Sequence, residues 1–240
     1  MEAVLLTRLD KAFDRKLAEA FLREGYRVFA LGAERAGGCG AGAAIAGCEG
    51  GEGGAGAAIA GVTTLPGDLA EARAAVEKEA GKLDIYVELS DERNAADCFT
   101  VRDGLDEALI RGLYDENVLR PMATLEAFIT LLDAGIGKRL CFIASAEASI
   151  NEARGVSGYG YALGKAAMSN FYQMISNKLT PSGYSFRVYD PMHGQIGAEA
   201  SAEGALNYFI RRRGTEGEDP LRDDEARLVF RDAFAREHAW

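Results

Sequence analysis

Three side chains in this sequence are of types that can share a proton with an alcohol or a carbonyl. Tyr161 and Lys165 lie four residues apart in the segment YALGK. On a helix, both would leave the same face one turn apart. An ammonium close to a phenol favours the phenolate and lowers the phenol's pKa. Such a tyrosine can act as acid or base near neutral pH. Ser145 precedes Tyr161 by 16 residues and follows an apolar run, Leu140 to Ala144. A hydroxyl at a strand end can hydrogen-bond the same reacting oxygen. Together the three would form an acid–base site for carbonyl reduction or alcohol oxidation. The pair alone is a weak signal. The chain has nine tyrosines, and with lysine at about one residue in twenty a chance Tyr-x-x-x-Lys is expected in roughly a third of such chains. The bland alternative is a surface lysine beside a half-buried tyrosine.

The elements that must position these residues give the pair its weight. Short apolar runs at Ala3 to Thr7, Tyr26 to Leu31, Val62 to Leu65, Leu83 to Leu89, Leu140 to Ala144, Ser185 to Tyr189 and Arg227 to Arg231 read as strands. Helical periodicity is expected over Lys11 to Glu24, Asp68 to Ala80, Leu105 to Leu113, Tyr114 to Ala134, Tyr159 to Leu179 and Glu203 to Arg212. Strand and helix alternate with few hairpin signals. That pattern predicts an α/β fold, a doubly wound parallel sheet of about seven strands with helices on both faces. Ligands of such sheets bind beyond the carboxyl ends of the strands, where Ser145 and Tyr161 are expected. The whole chain, 1–240, is read as one domain. It carries a Gly/Ala-rich insertion at about 36–61, in which GAGAAIAG occurs twice, at Gly40 to Gly47 and at Gly54 to Gly61. So much glycine and alanine builds no large packed face, and it reads as a surface loop or a weak short helix.

Composition excludes some classes. The formal net charge is −10, and a diffuse negative field repels nucleic acid and anionic membrane alike. The basic run Arg211, Arg212 and Arg213 is a local exception and reads as a solvated face. The four cysteines, Cys39, Cys48, Cys98 and Cys141, form no CxxC pair and have no histidine at ligand spacing, so no metal site and no disulfide framework is expected. No signal segment and no stretch of about 18 apolar residues is present. The expected setting is the cytoplasm, with a small-molecule substrate and no nucleic-acid or membrane partner.

At this point the chain resembles the short-chain dehydrogenase/reductase family, from Ala3 to about Asp232. Ser145 in FIAS and Tyr161 with Lys165 in YALGKAAM match that family's active-site residues, and Asn117 in ENVLRPM matches its helix asparagine. The resemblance implies a Rossmann-like fold and NADP or NAD as cofactor, with NADP favoured. It implies Tyr161 as the acid–base group, Lys165 tuning it and holding the nicotinamide ribose, Ser145 on the carbonyl, and Asn117 on a relay water. Asp68 and Leu69 resemble the pair that contacts adenine. Pro191, in LTPSGYSFRVYDPM, stands in the family's Pro-Gly turn, with Met192 where glycine is usual. A homodimer or homotetramer is implied as well.

The sequence also departs from that family. Its Gly-rich turn lets the backbone approach a pyrophosphate at a helix N-terminus. Here the stretch reads Thr7-Arg8-Leu9-Asp10-Lys11-Ala12-Phe13-Asp14, with Arg8, Ala12 and Asp14 at the glycine positions. Glu88-Leu89-Ser90-Asp91 replaces the family's Asn-Asn-Ala-Gly. Both changes predict weakened dinucleotide binding. Arg8, Lys11 and Arg35 are cations that could meet a phosphate from another direction, and Thr7 lines the same turn. Three functional readings follow: an NAD(P)-dependent oxidoreductase acting on a small carbonyl or alcohol, a catalytically inactive protein of this fold serving as a binding or regulatory subunit, and an enzyme of this fold using another ligand in the altered cleft.

Overall fold

A computed structural model of the chain describes residues 1–32, 58–211, 224 and 227–240. Arg35, Arg212, Arg213, the first GAGAAIAG copy and the first half of the second lie outside the described residues. The elements run β1 (Ala3–Leu6), α1 (Ala12–Arg23), β2 (Arg27–Leu31), β3 (Val62–Leu65), α2 (Leu69–Glu79), β4 (Ile85–Glu88), α3 (Glu107–Tyr114), α4 (Arg120–Asp133), β5 (Arg139–Ile143), α5 (Tyr159–Leu179), β6 (Ser185–Asp190), α6 (Ala198–Ile210) and β7 (Phe230–Asp232). Among the described residues the seven strands form one sheet in the order β3-β2-β1-β4-β5-β6-β7. Every pairing is parallel. The Rossmann-like α/β expectation therefore holds. No helix of the described residues is long and apolar enough to cross a membrane.

Period-two alternation assigns each strand residue to one of two cores. Val4, Leu6, Val28, Ala30, Val87, Cys141 and Ile143 face α1 and α6, meeting Phe13, Leu17, Phe21, Leu206 and Phe209. Leu5, Phe29, Tyr86, Leu140, Phe142 and Val188 face α2, α4 and α5, meeting Val76, Phe128, Leu132, Met168 and Tyr172. With both faces covered, the central strands β1, β4 and β5 are apolar on both faces except at Glu88 and Arg139 at their ends. Burying each large side chain contributes about 1.5–3 kcal/mol. Phe142 and Tyr172 stack with centroids 4.0 Å apart, which locks α5 over β5.

Three boundaries differ from expectation. The helices expected at Leu105 to Leu113 and Tyr114 to Ala134 form one rod, α3 and α4 joined through a π-turn at Asp115–Leu119. Pro121 has no N–H to offer, and its ring would meet the carbonyl of Asn117 in a regular α-helix; the widened turn ahead of it accommodates both. Helix α6 starts at Ala198 rather than Glu203. Its first turns are alanine and serine, too small to register as an apolar stripe, yet Ser201 and Ala202 are buried. The last strand is Phe230–Asp232 rather than Arg227 to Arg231, and Arg227 is exposed.

Strand order reverses between β1 and β4, so the ligand crevice of the fold opens beyond Leu6 and Glu88. At the opposite end, Asp84 closes the sheet. Its carboxylate accepts the N–H groups of Ala3 at 3.0 Å, Ile136 at 2.9 Å and Gly137 at 3.2 Å. Burial raises its pKa, but these bonds and one from Lys82 outweigh burial and hold it below the ordinary value. A depressed folded pKa stabilises above the unfolded value, near 4, and that stabilisation is lost as pH falls through the folded one. Asp84→Asn should therefore cost about 1–3 kcal/mol in urea unfolding at pH 7, because buried N–H groups lose their acceptor. The difference from wild type should shrink below about pH 4; a difference independent of pH would refute this role.

Candidate active site

Helix α5 delivers the tyrosine and the lysine. It starts after Gly158, whose φ of +79° suits glycine. The Asp97 carboxylate accepts the Tyr161 N–H at 3.0 Å, capping the first turn from 64 residues upstream. A Cβ on Gly160 would stand 2.7 Å from Leu113 Cδ1, so α5 lies tight against α3. The first turn is thereby fixed, and Tyr161 and Lys165 both point inward, 3% and 2% exposed. Ser145 follows β5 and its Oγ accepts the Glu147 N–H at 3.2 Å. The Ser145 side chain also acts on the Tyr161 phenol, pulling its pKa down. Tyr161, Lys165 and Ser145 thus meet at the carboxyl edge of the sheet.

A fourth group stands among them. Asp91, three residues beyond β4, accepts the Tyr161 phenol proton on Oδ1 at 2.6 Å. The Lys165 ammonium lies 3.5 Å from the same oxygen and also donates to the carbonyls of Ile143, at 3.1 Å, and Ser90. Lys11 donates to the Asp91 carbonyl and lies 3.4 Å from Oδ2. His193 Nε2 stands 3.6 Å from that oxygen. The Arg93 guanidinium covers the Tyr161 ring at 3.7 Å and is tied to Glu147 at 2.8 Å.

This arrangement reverses the expected tuning. Burial, then the Asp91 charge, push the Tyr161 phenol well above its ordinary value, against Arg93 and Ser145. The Lys165 ammonium is 5.8 Å from the ring centre and faces Asp91 instead. Burial pulls Lys165 down, with Asp91 opposing. Burial would raise Asp91, but the charges of Lys165 and Lys11 hold it far below the carboxylate range. The resting cluster is thus a neutral phenol hydrogen-bonded to a carboxylate.

The phosphate end of the crevice is also filled from within. Arg8 Nε pairs with Asp14 at 3.0 Å and Asp10 at 2.7 Å, and its Nη1 meets Glu92 at 2.5 Å. Asp14 is 1% exposed, and its carboxylate also accepts the Lys11 N–H at the start of α1, at 3.1 Å. The helix N-terminus that would receive a pyrophosphate already holds an anion of the chain itself. Burial pushes Asp14 up to about 6, against the pull of Arg8. Thr7 donates to Glu88 at 2.9 Å and accepts the Leu89 N–H. Glu88 also takes Tyr86 Oη at 2.6 Å and the Ser90 hydroxyl at 2.7 Å. As they stand, these residues do not fit a dinucleotide: Arg8, Asp14 and Glu92 pair with one another where the phosphates would lie, and Lys165 already faces Asp91 and two backbone carbonyls.

The remaining expected residues are placed elsewhere or otherwise engaged. Asn117, on the π-turn, exchanges hydrogen bonds with the Glu92 backbone, 2.9 Å each way, and donates to the Leu113 carbonyl at 3.0 Å. It pins the turn that carries Asp91. Asp68 caps α2, accepting from Ala70 and Glu71 at 2.9 Å, and Leu69 packs on the core. Pro191 follows β6 and its carbonyl accepts the Ser201 hydroxyl at 2.7 Å. Met192 does take a left-handed φ, +53°, where glycine would be easier. The sequence reading did not assign Asp91, Arg93, Asp97 or Glu92 to the site. The signal was present: three acidic residues, Glu88, Asp91 and Glu92, crowd the five positions from Glu88 to Glu92, at and just beyond the end of a central strand.

No protein-family model and no curated protein sequence matches the chain. Solved structures do. The carbonyl reductase Sniffer of D. melanogaster superposes with a TM-score of 0.74 at 14% identity, covering 100% of both chains. A short-chain dehydrogenase/reductase from Burkholderia multivorans with bound NADP gives 0.73 at 16% identity, covering 100% of this chain and 99% of that one. A carbonyl reductase from Pseudomonas aeruginosa PAO1 in complex with NADP gives 0.67 at 18% identity, covering 100% of both.

Removing Arg8 tests the internal ion cluster. Arg8→Ala leaves the Asp14 carboxylate buried with only the Lys11 N–H, and should cost about 3–5 kcal/mol of unfolding free energy near neutral pH. A carboxyl with a raised folded pKa stabilises below its unfolded value, near 4, and that contribution is lost as pH rises through the folded value. The loss in Arg8→Ala should therefore be larger at pH 8 than at pH 5; equal losses would show that Asp14 does not depend on Arg8. Strand order, the position of the crevice and the superpositions agree that this chain has the fold of the short-chain dehydrogenases/reductases.

Proposed function

We propose that this chain is a catalytically inactive protein of the dehydrogenase/reductase fold, with its dinucleotide groove closed, serving as a binding or regulatory protein. The observation that carries this reading is the Tyr161 phenol donating to Asp91 while Arg8, Asp14 and Glu92 fill the phosphate space. A proton-exchanging tyrosine needs a pKa near the working pH and an oxygen free to meet substrate. Here burial and Asp91 raise the phenol, and its proton is already committed. A dinucleotide would have to displace paired carboxylates from a helix N-terminus, against like charge.

A second reading is supported by the retained residues. Tyr161, Lys165 and Ser145 share one end of the sheet, with Asn117 on the adjoining rod. Two of the superposed structures hold NADP. On this reading the chain is an oxidoreductase that uses NADP or NAD on a small carbonyl or alcohol. Tyr161 is then the acid–base group, Lys165 and Asn117 support it, and Ser145 holds the substrate oxygen.

Thermal unfolding with NADPH, with NADH and with neither separates the two. A ligand that binds only the folded state raises the melting temperature. The first reading expects no rise at about millimolar dinucleotide, a concentration that would add roughly 2.7 kcal/mol at one hundred times Kd. It also expects no oxidation of NADPH with small aldehydes or ketones. A clear rise, with turnover abolished by Tyr161→Phe and the rise retained, would install the second reading in its place.

A further inference from the structure

The group that closes the crevice is a single carboxylate on a turn, and its surroundings have the form of a ligand site. Asp91 is 3% exposed and is met from three separate elements, Tyr161 Oη and Lys165 from α5, Lys11 from the start of α1 and His193 from the loop after β6, while Arg93 on its own turn braces the phenol ring. None of these partners needs the Asp91 backbone except through the Lys11 bond to its carbonyl. The turn itself is held independently, by Asn117 gripping the Glu92 backbone on both sides and by Ser90 gripping Glu88. A phenol, two ammonium groups and an imidazole converging on two oxygens are the donors that recognise a small carboxylate.

We propose that this cluster is a carboxylate-binding site in which Asp91 is the resident ligand, supplied by the chain to itself. The inference rests on the closed-groove reading, and it goes further: closure is by an anion seated in a carboxylate site, not by packing. The ligand class that replaces Asp91 is a small monocarboxylate. A free carboxylate competes poorly with one held on the adjoining turn, so the site opens to an added acid only when the resident side chain is removed.

The test uses no nucleotide, so it can fail while the reading above stands, and the reverse. Asp91→Gly removes the volume of acetate, and Asp91→Ala that of formate. Melting temperature is followed against sodium acetate, sodium formate, sodium chloride and acetamide. Each variant should melt below wild type in chloride alone. Acetate for the glycine variant and formate for the alanine variant should restore several degrees with saturation in the millimolar range, while acetamide and chloride do not and wild type does not respond. Equal responses in wild type and variants, or folded variants that ignore both acids, overturn the proposal.

Should both variants fail to fold, Asp91→Asn keeps the shape and removes the charge. Ultraviolet difference titration then reads the phenol, with Asp91→Asn/Tyr161→Phe assigning the band. Facing Lys165, Lys11, Arg93 and His193 without the carboxylate, Tyr161 should ionise at least about one pH unit lower than in wild type; an unmoved titration overturns the proposal.

Discussion

A buried ammonium demands an anion. Lys165 is 2% exposed beneath the carboxyl ends of β4 and β5, and leaving its charge unpartnered there would cost several kcal/mol. The chain meets that demand with Asp91, and much of the crevice follows from the choice. Once Asp91 faces Lys165, the phenol one helical turn away has an acceptor at 2.6 Å. A phenol that donates to a carboxylate stays protonated. Lys11 is drawn across from α1, and Arg93 lies over the phenol ring and reaches Glu147 beyond Ser145.

The two halves of the crevice are closed by one turn. Asp91 serves the tyrosine end, and the next residue, Glu92, serves Arg8 at the phosphate end. Arg8, Lys11, Arg93 and Lys165 stand against Asp10, Asp14, Asp91 and Glu92. With Glu88 also buried beside them and Glu147 on Arg93, the interior has no surplus of cations to offer a guest. An anion with two phosphates would add charge to a cluster that has no surplus of cations, and in a low-dielectric site that imbalance is expensive. The π-turn belongs to the same device, since it presents Asn117 to both sides of the Glu92 peptide.

The architecture was legible because it is written in periodicity. Apolar runs and helical stripes placed all seven strands, and α5 spans Tyr159–Leu179 as its periodicity predicts. The boundaries that moved were those where side chains are small, as at Ala198, or where a proline sits inside a continuous rod, as at Pro121. Tyr161, Lys165 and Ser145, expected from the resemblance, lie at one end of the sheet. What it did not convey is which way a proton faces. The spacing of Tyr161 and Lys165 implies an ammonium tuning a phenol, yet a carboxylate 70 residues earlier in the chain intervenes. That is a tertiary fact, set by where β4 ends. The glycine substitutions were readable in sequence as a loss. Their positive content, Arg8 and Asp14 as partners of each other, needed the fold.

The sheet's connectivity bears on how the molecule is made. β1 pairs on one side with β2 and on the other with β4, joining Leu5 to Tyr86. Contacts between such distant parts of a chain form slowly, because long loops must close first. Synthesis delivers Lys11 and Asp91 well before α5 emerges. The partly made chain thus holds β4 with one row of backbone groups unpaired until β5 arrives, and it holds Asp91 without its phenol. Such an edge is a template for another strand. Docking of α5, which brings Tyr161 and Lys165 to Asp91, is also the step that seals the crevice.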